Sequence, residues 1–299
     1  MKILLLGANG QVGREIPEVA KRHYGDFEIV ALDRGQLDIT NDYDVIESIN
    51  HVQPSLVINA AAYTAVDKVE QEPENANAIN SDGPGYIASV CAKDNIPLIH
   101  ISTDYVFNGE KKGAYLETDT VDPINVYGKS KLEGELRIQE ALEKHIILRT
   151  SWVFGVYGKN FVYSMINLAK QRQELRIVGD QIGCPTSAFS ISNAILKICE
   201  SILNGDKISW GIYNYCGSPS TNWCDFSKTI IETTKNDQEC CLKNIECIST
   251  AEYPTAAVRP QNSVLDCDKI RQQFGVEQQP WIEGLQQMIE HPHFSETVI

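Results

Sequence analysis

The sequence has few basic residues and no long apolar run, and each absence excludes a class of protein. No apolar stretch approaches the roughly 20 residues that a membrane-spanning helix needs. Lys and Arg number 26 against 40 Asp and Glu, and the formal net charge is -14 at pH 7. We therefore expect no broad basic face for nucleic acid or for an anionic membrane. Local cations and helix N-termini could still bind a small anionic substrate.

Signals for export, disulfides, metal binding and hydrolysis are also missing. A glycine-rich segment follows the short apolar run at residues 1–7, where a secretory peptide would stay apolar, so we expect a cytoplasmic protein. The nine cysteines include no Cys-x-x-Cys pair, and the odd count predicts reduced thiols. The histidines show no metal-ligand spacing beyond His291 and His293, which we expect to be solvent-exposed. No Gly-x-Ser-x-Gly turn is present, which disfavours a hydrolase.

Short β-rich runs alternate with longer helical patterns through about residue 150. The runs are apolar nearly throughout, as in strands buried on both faces of a parallel sheet; they are 3–7, 28–33, 56–60, 98–102 and 146–149. The pattern predicts a Rossmann-type α/β fold with a doubly wound parallel sheet. Pro17 and Pro84 fall inside expected helices and predict kinks or late starts there.

The pattern loosens after residue 150, which predicts a smaller C-terminal α/β region. We expect helices at 160–172, 187–203 and 223–235, and a strand at 211–216. We assign residues 1–150 to a dinucleotide-binding domain, with later segments interleaved, and residues 151–299 mainly to substrate binding. The sequence contains no linker that would make this boundary sharp.

The first strand leads directly into the glycine-rich segment Gly7-Ala8-Asn9-Gly10-Gln11-Val12-Gly13 and then into a helical pattern. Glycines at this spacing allow a tight turn and close approach to a pyrophosphate, which the free N–H groups at the helix start would bind. Asp33 lies 20 residues after Gly13, where a carboxylate would bind the adenosine ribose of NADH. Arg34 could instead bind the 2′-phosphate of NADPH, so both cofactors stay open.

A Tyr-x-x-x-Lys pair, Tyr127 and Lys131, opens a later helical pattern and places both side chains on one face. It follows the fourth predicted strand, whose carboxyl end carries Thr103; open α/β sheets bind their ligands at such ends. Tyrosine has an ordinary pKa of about 10, and a nearby ammonium would lower it toward neutrality. The three residues predict a site that protonates a carbonyl oxygen as hydride arrives, with Thr103 donating a hydrogen bond.

These motifs and several longer strings resemble one family over nearly the whole chain. The strings are 59–68 (NAAAYTAVDK), 102–109 (STDYVFNG), 127–131 (YGKSK), 149–155 (RTSWVFG), 179–186 (GDQIGCPT) and 259–260 (RP). Together they resemble the dTDP-4-dehydrorhamnose reductases, of the extended short-chain dehydrogenase/reductase superfamily. The resemblance implies reduction of the C4 ketone of dTDP-6-deoxy-L-lyxo-4-hexulose to dTDP-L-rhamnose by NADPH or NADH, the last step of dTDP-rhamnose biosynthesis.

The resemblance also implies roles for individual residues. Tyr127 would donate the proton, Lys131 would hold the nicotinamide ribose and tune Tyr127, and Thr103 would assist at the carbonyl. The residues expected to contact the cofactor are Gly7, Gly10, Gln11, Val12, Gly13, Asp33, Asp38, Ile39, Ala61, Ala62, Tyr63 and Thr64, together with Tyr127 and Lys131. Those expected to contact the sugar nucleotide are Thr103, Asp104, Tyr105, Trp152 and Arg259.

Some members of this family form a homodimer linked by magnesium through glutamates on the outer helices. Glu15 could serve here, but Ser190 stands where a second carboxylate would be expected, so the sequence leaves both the metal and a homodimer undecided.

Other functions within and beyond the superfamily remain to be weighed. A sugar-nucleotide dehydratase would carry Glu after Asp104, where this chain has Tyr105, and an epimerase would usually lack the STDYVF string. The regulatory β subunit of methionine adenosyltransferase resembles the same family and binds cofactor without known turnover. An NAD(P)-sensing regulator is a further alternative. Intact Thr103, Tyr127 and Lys131 favour an enzyme.

Overall fold

The computed structural model describes residues 1–234 and 240–294 and is built on a six-stranded parallel sheet. Its strands lie in the order β10-β5-β4-β3-β1-β2. The strands of the chain are β1 Lys2–Leu6, β2 Glu28–Leu32, β3 Leu56–Asn59, β4 Leu98–Thr103, β5 His145–Thr150, β6 Val153–Phe154, β7 Glu174–Val178, β8 Ile182–Gly183, β9 Thr186–Ser187, β10 Gly211–Asn214, β11 Thr221–Asn222 and β12 Asn244–Ile248. The five strands predicted before residue 150 are all present, and the doubly wound parallel sheet is confirmed.

Helices cover both faces of this sheet. The α-helices of the described residues are α1 Gln11–His23, α2 Asp42–Val52, α3 Val66–Val69, α4 Pro73–Asn77, α5 Gly83–Lys93, α6 Val126–Ala141, α7 Phe161–Gln171, α8 Ala188–Leu203, α9 Trp223–Thr234, α10 Asp268–Phe274 and α11 Trp281–Glu290. Alternate residues of β1 point to opposite faces: Ile3 and Leu5 pack with α1, α8 and α10, whereas Leu4 and Leu6 pack with α2, α5 and α6. Two apolar layers therefore hold the sheet.

Burial follows each strand's place in the sheet. The side chains of β3 and β5 are buried along their whole length because both strands are interior. The expectation of burial on both faces was wrong for β2, whose residues are exposed at Glu28 and half-buried elsewhere. β2 pairs only with β1 and forms one edge of the sheet, so fewer neighbours cover it.

The two prolines behave differently. α1 runs without interruption through Pro17, so the late start expected there does not occur. Pro84 lies in the first turn of α5, where its missing N–H needs no partner within the helix. A π-helical segment, Ala78–Asp82, comes directly before α5 and carries the chain into it. The helical backbone is thus continuous from Pro73 to Lys93, so the start is not late, and the irregularity predicted near Pro84 is this π-helical segment.

The later helices and the strand at β10 agree with the sequence expectations, although Lys235, the predicted end of α9, lies outside the described residues. A third apolar cluster joins β6, α7, α9 and α11 beyond the sheet.

Cys224 and Cys247 form a disulfide between the start of α9 and β12, so the prediction of reduced thiols was wrong for this pair. Tertiary packing brings the two cysteines together, and their spacing in the sequence does not indicate the pairing. No helix among the described residues is long and apolar enough to cross a membrane.

Candidate active site

The strand order reverses between β1 and β3, and the glycine loop lies at this point. Gly7 has φ +85°, and a Cβ there would lie 2.5 Å from the backbone nitrogen of Ala61 at the end of β3. A Cβ on Gly13 would lie 2.1 Å from the carbonyl oxygen of Gly7. Gly10 precedes α1 and has no side chain to cap it, so the N–H groups of Gln11, Val12 and Gly13 open the helix without that cap. This cradle of bare backbone fits a dinucleotide pyrophosphate.

The two candidates for recognising the adenosine ribose stand side by side after β2. Asp33 accepts hydrogen bonds from the Asn9 side chain and from the Gly35 backbone, both at 2.8 Å. The Arg34 side chain is 73% exposed and reaches Asp38 at 3.6 Å. Asp38 also accepts from the hydroxyl of Thr40 at 2.8 Å. The carboxylate of Asp33 is thus held in place, while the guanidinium of Arg34 is accessible.

The segment after β3 is fastened to the helix that carries Tyr127. Asn80 accepts from the backbone N–H of Tyr63 at 2.8 Å and donates to the Tyr63 carbonyl at 3.0 Å. Its amide also donates to the Ser130 hydroxyl at 3.0 Å, and that hydroxyl donates to the Tyr127 carbonyl at 2.9 Å. Ala61 and Ala62 are half-buried beside this link, and Thr64 is exposed; on the other side of the cradle Ile39 is buried against Gly83.

α6 is placed closely against the end of β4. Asn125 caps the helix by accepting from the N–H of Gly128 at 2.8 Å. A Cβ at Gly128 would lie 2.1 Å from the carbonyl oxygen of Tyr105, so only glycine allows this approach. Tyr127 and Lys131 are buried on the side of α6 that faces the strand end, and Thr103 is buried opposite them. The structure therefore brings the three residues predicted to be catalytic together.

Burial dominates the pKa shifts of Tyr127 and Lys131. It raises the pKa of Tyr127, while hydrogen bonding with Thr103 acts in the opposite direction. Burial lowers the pKa of Lys131 to about 8, against a smaller opposing effect of Glu135. Lys131 donates to the Ile101 carbonyl at 2.7 Å, and its Nζ lies 3.1 Å from Nε2 of His100. The expected lowering of the tyrosine pKa by a nearby ammonium is not found, because burial dominates the shift and Lys131 is not among its causes.

Asp104 and Tyr105 extend the site beyond Thr103. Asp104 is buried, accepts from the Thr103 hydroxyl at 2.9 Å, and has its pKa raised to about 7 by burial. Hydrogen bonding with the side chains of Ser263 and Thr103 acts against that rise. The ring of Tyr105 meets that of Tyr127 edge to face, with centroids 5.7 Å apart. A buried carboxyl group therefore lies next to Tyr127.

The remaining predicted substrate residues come from two later segments. Trp152 has φ +47° and stacks on Trp223 with ring centroids 3.5 Å apart. Arg259 donates to both carboxylate oxygens of Asp67, at 3.1 and 2.6 Å, and hydrogen bonds with Tyr105. Arg259 thus lies beside the Tyr105–Tyr127 ring pair, whereas Trp152 belongs to the aromatic cluster at the start of α9.

Sequence reasoning missed several groups that build the site. Glu135, one turn beyond Lys131, is fully buried and accepts from Arg149 at 2.6 Å and from the Ser102 hydroxyl. His100 and Asp67 were also missed. Glu135 follows Tyr127 and Lys131 at four-residue steps and could have been found on that helix face. The others depend on contacts between distant segments and leave no local signal.

Glu15 and Ser190 are the positions considered for a metal shared between subunits. Glu15 is buried, and burial raises its pKa to about 7, while the Ser190 hydroxyl is bonded to Ser187. Across residues 1–234 and 240–294, the one group of three possible metal ligands is Cys224, Asp225 and Cys247, of which two are disulfide-bonded. The expectation that the C-terminal histidines are solvent-exposed was wrong. Both are half-buried, with their rings 6.2 and 5.2 Å from that of Tyr157.

Comparison with known proteins identifies the family. The family model described as RmlD substrate binding domain matches residues 1–293. A dTDP-4-dehydrorhamnose reductase of Aggregatibacter actinomycetemcomitans is 44% identical over 287 residues, covering 95% of this chain and 97% of that protein. The chain belongs to the dTDP-4-dehydrorhamnose reductase family. The resemblance found from its motifs is thereby confirmed.

Solved structures of this reductase family share the fold throughout. One from Clostridium acetobutylicum superposes with a TM-score of 0.89 at 38% identity and covers 97% of this chain and 99% of its own. One from Bacillus anthracis, solved in complex with NADP, gives a TM-score of 0.88 at 36% identity and covers 96% and 98%. The resemblance therefore extends across the sheet and the C-terminal region.

Proposed function

We propose that this protein reduces the C4 ketone of dTDP-6-deoxy-L-lyxo-4-hexulose to dTDP-L-rhamnose with NADPH or NADH. The observation that carries the proposal is the meeting of Thr103, Tyr127 and Lys131 beside a glycine cradle, in a chain of the reductase family. Tyr105 occupies the position where a dehydratase would carry Glu, which favours simple reduction. The family membership and the intact proton donor both favour an enzyme over the regulatory subunits that resemble it.

In this proposal Tyr127 donates its proton to the carbonyl oxygen of the sugar. The reduced nicotinamide, when bound, supplies the hydride. Thr103, whose hydroxyl donates to Asp104 at 2.9 Å, turns that hydroxyl toward the developing oxyanion. Lys131 holds the nicotinamide ribose, and its positive charge favours the tyrosinate that remains.

We assign the cofactor and substrate contacts by position. The pyrophosphate binds at Gly10, Gln11 and Val12, between the tight turns at Gly7 and Gly13. The other cofactor contacts are Asp33, Asp38, Ile39, Ala61, Ala62, Tyr63 and Thr64. Asp104 and Tyr105 contact the sugar, Arg259 binds the diphosphate as a bidentate donor, and Trp152 contacts the sugar nucleotide.

Four further expectations stay predictions. Residues 1–150 carry the cofactor and residues 151–299 mainly the substrate, although residues 235–239 and 295–299 lie outside the described part. The coenzyme preference depends on Asp33 and Arg34. A homodimer is testable by light scattering coupled to size-exclusion chromatography. A cytoplasmic location also stays a prediction; reduced thiols at Cys224 and Cys247 in the purified protein would agree with it.

The deciding experiment follows nicotinamide absorbance with the freshly generated keto sugar nucleotide, using NADPH and NADH in turn. We expect oxidation by the wild-type protein and a loss of about 100-fold to 10,000-fold in Tyr127→Phe, because the proton donor is removed. Cofactor binding measured by fluorescence is the control, and it should persist in the variant. Cofactor binding without any oxidation by the wild type would reject the reductase and favour a regulatory subunit.

A further inference from the structure

A line of buried hydrogen bonds runs from the cofactor loop to Lys131. The backbone N–H of Ala61 donates to Oδ1 of Asn59 at 3.0 Å, and Nδ2 of Asn59 lies 3.1 Å from Nδ1 of His100. Nε2 of His100 lies 3.1 Å from Nζ of Lys131. Asn59 and His100 are fully buried, and Lys131 is 1% exposed. The three side chains of this line are therefore shielded from water.

The hydrogen-bond donors and acceptors of Asn59, His100 and Lys131 determine which of their nitrogens carry protons. Oδ1 of Asn59 is committed to a backbone N–H, so the amide group that faces His100 is Nδ2, which can only donate. Nδ1 of His100 must therefore accept, and the neutral imidazole carries its proton on Nε2. That N–H faces Nζ of Lys131, and an ammonium group has no lone pair with which to accept it.

The charged and titratable groups around Lys131 disfavour other protonation states of this line. On its own helix Lys131 has Tyr127 and Glu135 one turn away on either side, and Glu135 is bonded to Arg149 of β5 at 2.6 and 2.9 Å, which offsets its charge. From β4 come His100 and the carbonyl of Ile101, which accepts one Nζ–H at 2.7 Å. Beyond β4, Asp104 is buried with a raised pKa. A charged His100 is disfavoured too, because burial and then Lys131 lower its pKa well below the ordinary value.

We propose that Asn59 and His100 are positioning residues that favour the neutral amine of Lys131 in the free protein, so that at mildly alkaline pH Lys131 takes up a proton when the dinucleotide binds. The amine accepts from His100 and donates to Ile101. A bound ribose offers hydroxyl oxygens as new acceptors, which favour the ammonium form. The proton comes from solvent, and the dinucleotide thereby completes the positive charge beside Tyr127. The inference rests on the proposed function in assuming that a dinucleotide binds.

The uptake can be measured by isothermal titration calorimetry in buffers of different ionisation enthalpy. Near pH 8.5 we expect wild type to take up about 0.5 to 0.8 proton per NADH or NADPH bound, because a lysine with a pKa of about 8 is mostly neutral there and regains its ordinary pKa on binding. Lys131→Met should show no uptake. His100→Gln should show less than about 0.2, because its amide can turn an oxygen to the ammonium already in the free protein. Binding without uptake in wild type, or equal uptake in His100→Gln, would overturn the proposal.

A second measurement needs neither cofactor nor substrate. The ¹⁵N chemical shifts of the imidazole, assigned by the signals lost in His100→Gln, should show the Nε2–H tautomer in the free protein. The ¹³Cε shift of Lys131, assigned with Lys131→Met, should show a neutral amine above about pH 8.5. An Nδ1–H tautomer, or a lysine still charged there, would refute the inference even if the reductase is active. Failure to bind any dinucleotide would instead reject the proposed function.

Discussion

Arg259 reaches the site from a segment 192 residues away from its ion-pair partner Asp67. The pair is bidentate, and the guanidinium also bonds Tyr105, so its orientation is fixed before any ligand arrives. Asp67 occupies the two-point face of the guanidinium, so a diphosphate would bind there in place of Asp67, in a planar arrangement that a lysine cannot reproduce. The fixed orientation makes Arg259 the residue most sensitive to a conservative change.

For Arg259→Lys we expect the KM for the sugar nucleotide to rise about tenfold while kcat falls less, because binding geometry is lost and the proton donor is kept. Steady-state kinetics with the keto sugar would measure this. Arg176→Lys is a matched control, since Arg176 makes two exposed ion pairs within the β7–β12 region. An unchanged KM in Arg259→Lys would remove Arg259 from the proposed binding site.

The buried side chain of Glu15 makes the stability of the fold depend on pH. Its pKa rises from 4.5 to about 7 on folding because α1 buries the carboxyl group. The folded protein therefore binds the proton more tightly, and stability falls as pH rises from about 4.5 to about 7.

Glu15→Gln removes this titration and should raise the melting temperature at pH 8 but not at pH 5. The expected gain is about 1 to 3 kcal/mol, the upper end corresponding to the full pKa difference. Melting curves of both proteins at the two pH values, with the exposed Glu47→Gln as control, would show it. Equal changes at both pH values would contradict the assignment.

α6 is the element that assembles the chemistry. It carries Tyr127, Lys131 and Glu135 at four-residue steps, and the Glu135–Arg149 pair anchors it to β5. Its close approach to the end of β4 depends on Gly128, whose added Cβ would lie 2.1 Å from the Tyr105 carbonyl oxygen. The distance between the tyrosine and the strand end is thus set by a residue with no chemistry of its own.

Gly128→Ala should shift α6 away from Tyr105, cost about 1 to 3 kcal/mol of stability and lower kcat at least tenfold. Gly25→Ala is the control, because no atom lies within 4 Å of a Cβ placed there. Chemical denaturation and turnover would be measured for both variants. Gly128→Ala with wild-type turnover would show that the close approach does not position Tyr127.

At the scale of the whole molecule, one covalent link lies outside the sheet. The Cys224–Cys247 disulfide joins residues 23 apart in the chain and ties α9 to β12, away from the glycine cradle. Closing a loop of this length restricts the unfolded chain and stabilises the native state by about 3 kcal/mol.

Cys224→Ser combined with Cys247→Ser should lower the free energy of unfolding by about 3 kcal/mol, and dithiothreitol should do the same to the wild type but not to the variant. Denaturation with and without reductant would test both. The exposed Cys240→Ser is the control and should behave as wild type. Wild type that is insensitive to reductant and has free thiols at both positions would contradict the disulfide.

The sequence by itself determined the parallel sheet, the glycine cradle and the Tyr127–Lys131 pair. Each depends on a local pattern: apolar runs specify buried strands, glycines permit the Gly7 turn, and four-residue spacing puts two side chains on one helix face. Exposure of β2 escaped this reasoning because strand order, which a run of apolar residues does not encode, decides which strand is at the edge.

Only the tertiary structure decided what surrounds those groups. His100 faces Lys131 because β4 lies under α6, Arg259 meets Asp67 across 192 residues, and Cys224 meets Cys247 because α9 packs beside β12. These contacts join segments that are distant in the chain, and their burial sets the pKa of Lys131 and of Tyr127. Sequence therefore determined which chemical groups are present. Packing determined their protonation, because burial and facing donors act only once the chain has folded.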